Sequence, residues 1–279
     1  MFSLILATIG RYKEVDDFLE SLLNQSYKDF EVIIIDQNKN NDLKILAKKY
    51  QDNFPIQYIK QSKPGLSSAR NIGIKNAKSK FIAFPDDDCL YPMNLLQDVN
   101  NILQRENHDF ISIMCRDTIN NNQLSYTPLD KKSKITTKNV FNAVTSIGLF
   151  MKNPSQKIYF DTKFGAGTEL FSCEEIDYVF RLLKDLKYKG MFIPDIYVQH
   201  PALPINSLKK IYNNSKGHGA FAKKHYKKAN CNFFFYNVLL LIFIKPFAGL
   251  VLSILKINSY DIKKYYFILM GRIYGFLKS

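Results

Sequence analysis

The pattern of apolar and polar positions along the chain predicts strands that alternate with helices. Continuous apolar runs at residues 3–8, 30–35, 56–59 and 81–84 predict four buried strands. Between them lie three predicted helices, one capped by Asp16 or Asp17, one over residues 43–50 and one over residues 64–77. Connections this short suit crossover helices between parallel strands. We therefore predict an α/β fold, with a mostly parallel sheet and helices on both faces.

The second part of the pattern is more varied. It predicts a helix over residues 92–105, strands at residues 110–114, 145–151, 192–194 and 197–200, and a helix that begins around Glu174. Residues 120–137 are polar and irregular, which fits either a plain loop or a flap on the acceptor side of an active site. The apolar N-terminus lacks the basic residues of a signal peptide, so we expect a first strand there and a chain exposed to the cytosol.

Three adjacent carboxylates, Asp86, Asp87 and Asp88, follow the fourth predicted strand. Neighbouring acids repel one another unless a cation or water neutralises them. At the carboxyl end of a strand, they would point into the crevice in which open α/β sheets bind ligands. Oxygen ligands of this kind suit Mg²⁺ or Mn²⁺. A solvated acidic turn that caps the next helix is the alternative.

Length and charge add a second region to this picture. With 279 residues, the chain is long enough for one large domain and an appendage. Its formal net charge is +14, and the residues from His200 onward hold 13 basic side chains against one acidic side chain. The first 199 residues hold 26 basic and 24 acidic side chains. The basic character therefore belongs to the C-terminal region, and it favours a partner with a negative surface.

The last eighty residues combine basic and strongly apolar segments. Residues 208–228 predict a basic helix that contains Gly217 and Gly219, and residues 233–244 are apolar apart from Asn237. After an interruption at Lys245, apolar character resumes over residues 247–255 and 260–277. We expect basic amphipathic and apolar helices that lie in a membrane interface, on the cytoplasmic face of the cell membrane. A spanning or re-entrant helix and a soluble packing surface are the alternatives.

Three segments of the chain in combination resemble the family 2 glycosyltransferases, which have the GT-A nucleotide-sugar-binding fold. They are SLLNQSYKDFEVIIID, GLSSARNIGIKNA and FIAFPDDDCLYP, and the resemblance covers about residues 1–200. It implies a metal bound by Asp86 and Asp88, as Mn²⁺ or Mg²⁺, with His200 as a third ligand. It also implies a nucleotide-sugar donor that contacts Thr8, Arg11, Asp36, Arg70, Asn71, Asp86 and Asp87.

The resemblance also suggests a catalytic group. Formation of a glycosidic bond requires a base that removes the proton of the acceptor hydroxyl. In the family, an acidic pair supplies it, and here that pair is Glu174 and Glu175. We predict Glu175 as the base, with Glu174 and Asp177 positioning the substrate. Acids at the start of a helix are also stabilised by its dipole, which is the simpler interpretation.

The sequence thus predicts an inverting, metal-dependent transfer of one sugar to a lipid-linked or other glycan acceptor. The catalytic domain would be residues 1–204, with a nucleotide-binding half over 1–115 and an acceptor half over 116–204, and residues 205–279 would associate with a membrane. The chain has no Trp, so it lacks the Gln-x-x-Arg-Trp motif of processive members. The alternatives are a sugar nucleotidyltransferase, a silent scaffold and a basic nucleic-acid-binding protein. Long aliphatic runs in the basic region argue against nucleic acid as a partner.

The chain departs locally from the family at Glu175, where the usual residue is Asp, and in the loop after Asp36. The family commonly continues with a second Asp and then Gly-Ser, whereas this chain has Gln37, Asn38 and Lys39. The resemblance therefore implies no particular nucleotide base.

Overall fold

The protein folds around an eight-stranded mixed sheet. The computed structural model describes residues 1–124, 129–202, 207–226 and 243–279. The order of the strands is β3-β2-β1-β4-β7-β5-β8-β6. Their bounds are Phe2–Thr8 (β1), Phe30–Asp36 (β2), Ile56–Lys60 (β3), Phe81–Ala83 (β4), Phe110–Asp117 (β5), Ser133–Ile135 (β6), Leu149–Lys152 (β7) and Gly190–His200 (β8).

Strands β1 to β4 form the parallel half of the sheet. β1 pairs in parallel with both β2 and β4, and β2 pairs in parallel with β3. Strands β1, β2 and β4 are mostly apolar and buried, and Leu4, Ile5 and Leu6 of β1 are completely buried. β3 lies at the edge of the sheet and is only partly buried. The carboxyl ends of these strands meet at one edge of the sheet, where Thr8 lies opposite Asp36. The predicted α/β fold with a mostly parallel sheet is confirmed.

The other half of the sheet is mixed. β7 runs antiparallel to β4 and β5, β5 and β8 are parallel, and β6 is antiparallel to β8. Two short strands were predicted at residues 192–194 and 197–200, but a single strand covers both. Its register shifts where Ile113 pairs with Ile193 and Met114 pairs with Tyr197, so the residues between them form an irregularity around Pro194.

The predicted helices are present in the predicted order with some shifted ends, and a four-residue helix at residues 140–143 was not predicted. Their bounds are Lys13–Leu23 (α1), Asp42–Tyr50 (α2), Leu66–Asn76 (α3), Leu95–Arg105 (α4), Val140–Ala143 (α5), Glu174–Asp185 (α6), Leu208–Tyr226 (α7), Lys245–Leu255 (α8) and Ser259–Lys278 (α9). The prediction that Asp16 or Asp17 caps α1 was wrong, since the helix begins earlier. Asp16 instead accepts hydrogen bonds from Tyr50 Oη (2.5 Å) and Lys49 Nζ (3.0 Å) on α2.

Two further predictions of secondary structure were wrong. The polar segment over residues 120–137 is not irregular throughout, because it contributes β6, and its residues 125–128 lie outside the described residues. The strand predicted over residues 145–151 begins only at Leu149. The hydroxyl of Thr145 accepts a hydrogen bond from Gly148 N (3.3 Å), so the preceding residues form a turn.

The chain divides into two compact units. The first contains residues 1–160 and 178–202, and the second contains residues 161–177 and 203–279. In the second unit, α7 packs against α9 with almost no space between the backbones: a Cβ atom on Gly275 would lie 1.9 Å from Lys216 O. The functional boundary predicted between residues 204 and 205 stays a prediction.

The predicted C-terminal helices are present over residues 207–226 and 243–279, as α7, α8 and α9. Most of the apolar run at residues 233–244 lies outside the described residues. Within the described part of the chain, we find no helix with both the length and the apolar character needed to cross a bilayer.

Candidate active site

The three predicted carboxylates lie in a turn at the carboxyl end of β4. Cys89 N donates to Asp86 O (3.2 Å) and closes the turn. The next residue, Leu90, forms a β-bridge with Gln199 of β8. Because Gln199 precedes His200 at the end of β8, this bridge brings the acidic turn and the histidine to the same edge of the sheet.

Asp86, Asp88 and His200 form a cluster with the composition of a metal site. Each offers one ligand atom, and these atoms all lie within 4.8 Å of one another. His200 Nδ1 is 2.8 Å from Pro201 O, and since a carbonyl only accepts, Nδ1 carries the proton. This leaves Nε2 facing Asp88 Oδ1 at 3.1 Å. In the absence of a cation, a protonated Nε2 donates to Asp88. A cation that replaces this proton would lie between the carboxylate and the imidazole lone pair, and orientation of the ring by its second nitrogen is typical of histidine ligands.

Two arginines balance the charge of the turn. Arg11 NH1 contacts Asp87 Oδ1 (3.1 Å) and is also bonded to Asp88 Oδ2. Arg70 NH2 donates to Asp86 Oδ1 (2.9 Å), and its side chain is only 1% exposed. The Arg70 guanidinium also lies 5.6 Å from the centre of the Phe160 ring. Arg70 is therefore a fixed counter-charge inside the protein, whereas the half-buried Arg11 stands at the surface of the site.

The environment pushes the pKa values of neighbouring carboxyls apart. Burial raises the pKa of Asp87 to about 6, more than the Thr8 hydroxyl and the Arg11 charge lower it. Burial also opposes ionisation of Asp88, but the hydrogen bond and charge of His200, together with Arg11, lower its pKa to about 2. Burial lowers the pKa of His200, yet its bond to Asp88 and the nearby charges outweigh this and raise it. Divergent pKa values of this kind are typical of functional sites.

The strand ends of β1 and β2 hold two more of the predicted residues. Thr8 and Asp36 lie opposite each other in register. Asp36 is completely buried, and both of its oxygens are engaged: Oδ1 accepts from Asn38 N and Asn38 Nδ2 (both 2.8 Å), and Oδ2 accepts from Tyr58 Oη (2.6 Å) and Lys60 Nζ (2.8 Å). Burial disfavours the charge of Asp36, but its bonds to Lys60 and Tyr58 prevail and lower its pKa.

Asn71 has a different set of partners. Its Nδ2 donates to Phe160 O (2.9 Å), and its Oδ1 accepts from Phe160 N (2.7 Å). The amide thus holds the backbone of residue 160 in the way that a strand would. The structure brings Thr8, Arg11, Arg70 and His200 to the acidic turn, while the side-chain amide of Asn71 is committed to Phe160.

The predicted catalytic acids open α6, and residues 174–177 belong to the second unit. Asp177 is completely buried and Glu174 is 7% exposed. Glu175 lies between them and is half-buried, so it is the most accessible of the three. Asp177 Oδ1 accepts from His225 Nε2 (2.8 Å) and Lys224 Nζ (2.7 Å) of α7.

Sequence reasoning missed several partners of these residues. Tyr58 and Lys60 bind Asp36 because β3 pairs with β2 in a register that aligns Lys60 with Asp36. Lys224 and His225 bind Asp177 from 47 and 48 residues away in the sequence. Strand alternation could have shown Tyr58 and Lys60 on one face of β3. No local signal indicated that two residues of a basic helix would bind an acid of α6.

Comparison with known proteins shows the family. Residues 3–171 match the family described as Glycosyl transferase family 2. An uncharacterized glycosyltransferase of Haemophilus influenzae is 29% identical over 189 residues, 66% of this chain and 63% of that protein. One from Rickettsia bellii is 35% identical over 108 residues, 39% of this chain and 16% of that protein. The poly(ribitol-phosphate) beta-N-acetylglucosaminyltransferase TarP of Staphylococcus aureus is 32% identical over 113 residues, 39% of this chain and 35% of that protein. The alignments thus cover between 16% and 63% of these relatives.

Solved structures show the same fold. The mannosyltransferase PcManGT of Pyrobaculum calidifontis, in complex with GDP-Man and Mn²⁺, has a TM-score of 0.74 at 13% identity, over 100% of this chain and 88% of that one. S. aureus TarS 1–349 has a TM-score of 0.63 at 15% identity, over 98% of this chain and 90% of that one. These likenesses confirm the predicted GT-A fold. Since the family match spans more than half of the chain, this protein belongs to glycosyl transferase family 2.

Proposed function

We propose that the protein is a metal-dependent inverting glycosyltransferase, which moves one sugar from a nucleotide-sugar donor to an acceptor hydroxyl. The observation that carries this proposal is the cluster of Asp86, Asp88 and His200 at the carboxyl end of the sheet. Membership of the family supports the class of reaction. The donor set of two carboxylates and one imidazole favours Mn²⁺, and Mg²⁺ is the second candidate.

The residues around the cluster would prepare it for a cation and a diphosphate. A bound Mn²⁺ or Mg²⁺ would hold the donor's diphosphate and neutralise its charge as it leaves. The buried Arg70 side chain keeps the partly exposed Asp86 carboxylate in place through an ion pair. The Pro201 carbonyl fixes the His200 ring so that Nε2 is turned toward Asp88. Arg11, which is half-buried, would offer a second positive charge to the donor's phosphates.

In the proposed reaction, the carboxylate of Glu175 takes the proton of the acceptor hydroxyl. The acceptor oxygen forms a bond to the anomeric carbon while the bond from that carbon to the diphosphate oxygen breaks. The electron pair leaves with the nucleoside diphosphate, and the configuration at the anomeric carbon inverts. Glu175 suits this role because it is the most accessible acid at the start of α6.

We further propose an acceptor of the kind used in the assembly of surface polysaccharides, either lipid-linked or a glycan chain. The names of two relatives support it: TarP of S. aureus acts on poly(ribitol-phosphate), and GgaB of Bacillus subtilis is a minor teichoic acid biosynthesis protein. The match to GgaB covers 39% of this chain and 12% of that protein.

We also propose that the C-terminal region binds the cytoplasmic face of the cell membrane. On α8, large apolar side chains face solvent: Phe247 is 57% exposed, Leu252 is 55% exposed and Leu255 is 73% exposed. Lys245 and Lys256 lie at the two ends of this helix and are exposed as well. An apolar face bordered by lysines suits an interface between acyl chains and anionic headgroups better than it suits water.

A donor screen tests the enzymatic proposal. Purified protein with Mn²⁺ is incubated with UDP-, GDP- and dTDP-sugars, and release of nucleoside diphosphate is measured beside Asp88→Ala and Glu175→Gln variants. We expect slow hydrolysis of one donor, which Asp88→Ala abolishes and Glu175→Gln reduces. Release of pyrophosphate would instead identify a nucleotidyltransferase. If no donor turns over and none binds in a metal-dependent manner, the proposal fails.

Flotation with liposomes tests the membrane proposal. We expect the protein to float with vesicles that contain anionic lipid and to remain in solution with neutral vesicles. Leu255→Glu should weaken flotation, whereas Ile45→Glu, at an apolar position of the first unit that is 68% exposed, should not. Equal flotation of both variants, or retention of DNA in place of liposomes, would contradict a lipid surface as the partner.

A further inference from the structure

The start of α6 is attached to α7 on both sides of the proposed base, within the second unit. After the base, Asp177 Oδ1 accepts from His225 Nε2 (2.8 Å) and Lys224 Nζ (2.7 Å). Lys224 Nζ is also 2.7 Å from Asp161 Oδ2. Three segments that are distant in sequence, namely residue 161, the first turn of α6 and the C-terminal end of α7, therefore meet in one network of charges.

The second attachment lies before the base. Ser172 Oγ donates to Asn214 O (2.5 Å) of α7. Gly217 of α7 also lies against Ser172, because a Cβ atom on Gly217 would be 2.3 Å from Ser172 O. The helix α7 thus contacts the chain at residue 172 and again at residue 177, and Glu175 lies between the two contacts.

The backbone on both sides of the first contact, at Ser172, is held in an unfavourable conformation. Phe171 has φ = 62° and Cys173 has φ = 69°, although neither is glycine. Residues with a side chain adopt this region only where the surrounding structure imposes it, and such outliers concentrate at functional sites. Here, the contacts of Ser172 with α7 are part of the structure that imposes this conformation. The strained residues come immediately before Glu174 and Glu175 in the chain.

Burial and charge pairing stabilise the contact between Asp177 and α7. Asp177 is completely buried, and the side chain of His225 is 2% exposed. A buried carboxylate is stable only when it is paired and hydrogen-bonded, so Asp177 cannot leave α7 without losing both donors. Asp177 therefore has no free path to a substrate, and any effect that it has on the reaction must pass through the position of α6.

We propose that α7 positions the catalytic base, with His225 as the positioning residue that acts on Glu175 through Asp177. This inference rests on the proposed function, because it needs Glu175 to be the base. It assigns a role to the C-terminal region in addition to any contact with a membrane. It also assigns Asp177 to the support of the base, and not to the substrate.

The test compares three variants by two measurements. His225→Phe keeps a ring and removes the N–H donor, His225→Gln restores an N–H donor, and His108→Phe is the matched control, since His108 binds Glu106 (2.7 Å) in the first unit. Hydrogen–deuterium exchange is measured on the peptide over residues 171–177, and kcat and KM are measured with the donor that the screen identifies. Gly217→Ala is made in parallel, in case His225→Phe does not fold.

We expect His225→Phe and Gly217→Ala to accelerate exchange over residues 171–177. They should lower kcat by about tenfold to a hundredfold, because a displaced catalytic group is costly, and leave KM for the donor within about twofold. His225→Gln should recover most of the loss, and His108→Phe should change neither measurement. Unchanged exchange and kcat would overturn the inference, as would equal losses in His108→Phe. If exchange is accelerated in His225→Phe but the wild type turns over no donor, the contact between α6 and α7 is supported and only the proposed function is refuted.

Discussion

The adjacent carboxyls Asp87 and Asp88 should affect the stability of the metal-free protein in opposite directions. Burial raises the pKa of Asp87 from its ordinary 3.8 to about 6, so its charge is disfavoured in the folded state. The bonds to His200 and Arg11 overcome burial at Asp88 and lower its pKa to about 2, so its charge is favoured. The two side chains are 13% and 9% exposed, so solvent screens neither strongly.

The magnitudes follow from the pKa values. A pKa difference of one corresponds to about 1.4 kcal/mol. At neutral pH, Asp87→Asn should therefore increase the free energy of unfolding by about 3 kcal/mol as an upper value, because the amide replaces a disfavoured charge. Asp88→Asn should decrease it by about 2 kcal/mol, because the amide replaces a favoured one. If the acidic turn binds Mn²⁺, the nearby cation favours the charge of Asp87, so Asp87→Asn should then decrease the free energy of unfolding.

The dependence of stability on pH tests a second time whether each carboxylate stabilises or destabilises the folded state. Between pH 3.8 and about 6, folded Asp87 binds more protons than the unfolded chain, so its contribution to stability is lost as pH rises through this range. Folded Asp88 binds fewer protons, so its contribution is present above pH 3.8 and is lost as pH falls toward about 2.

Urea unfolding of the wild type and both variants in EDTA, at several pH values, measures these effects. The midpoints of Asp87→Asn and Asp88→Asn should lie on opposite sides of the wild-type midpoint at neutral pH, and the difference between Asp87→Asn and wild type should vanish below the ordinary pKa of Asp. A shift of both midpoints in the same direction would refute the reasoning from burial and ion pairing.

Two further predictions concern the parallel half of the sheet. Gly73→Ala should destabilise the protein by about 1–3 kcal/mol, because its Cβ would lie 2.1 Å from Ile5 Cγ2 in the core; thermal unfolding checks this, and an unchanged midpoint contradicts it. Tyr58→Phe should cost about 1–3 kcal/mol, since it removes the hydroxyl that donates to the buried Asp36. A urea titration measures that loss, and a neutral outcome would mean that water replaces the hydroxyl.

The fold was largely accessible from the sequence because its strands are long apolar runs. Residues 3–8 and 30–35 differ by one residue or less at each end from β1 and β2. The wrong predictions concern features that contacts between distant residues determine. Asp16 looks like a helix cap locally, but Tyr50 and Lys49 bind its carboxylate from α2. β6 is three residues long and exists because it pairs with β8, so its own sequence gives little signal.

The candidate site divides in the same way. Asp86 and Asp88 could be predicted because a strand precedes them, and the carboxyl ends of parallel strands share an edge. His200, the last residue of β8, was indicated as a ligand only by the resemblance to the family. The roles of Lys60, Lys224 and His225 could not be predicted, because pairing of strands and packing of helices bring them to their acids from elsewhere in the chain. Side chains that complete an ion pair carry no motif of their own.

The full set of bonds around Asp36 has a consequence for selectivity. Asn38, Tyr58 and Lys60 already occupy both carboxylate oxygens. A nucleobase that binds this carboxylate must displace one of these donors, so the gain is a difference between two hydrogen bonds of about 1 kcal/mol each. A base with a poorly placed N–H would leave a displaced donor without a partner, so its contact with Asp36 would oppose binding of the nucleotide. Such an exchange would increase selectivity for a correctly placed base more than it increases affinity. The carboxyl end of β2 could then discriminate among nucleotides and still release the product.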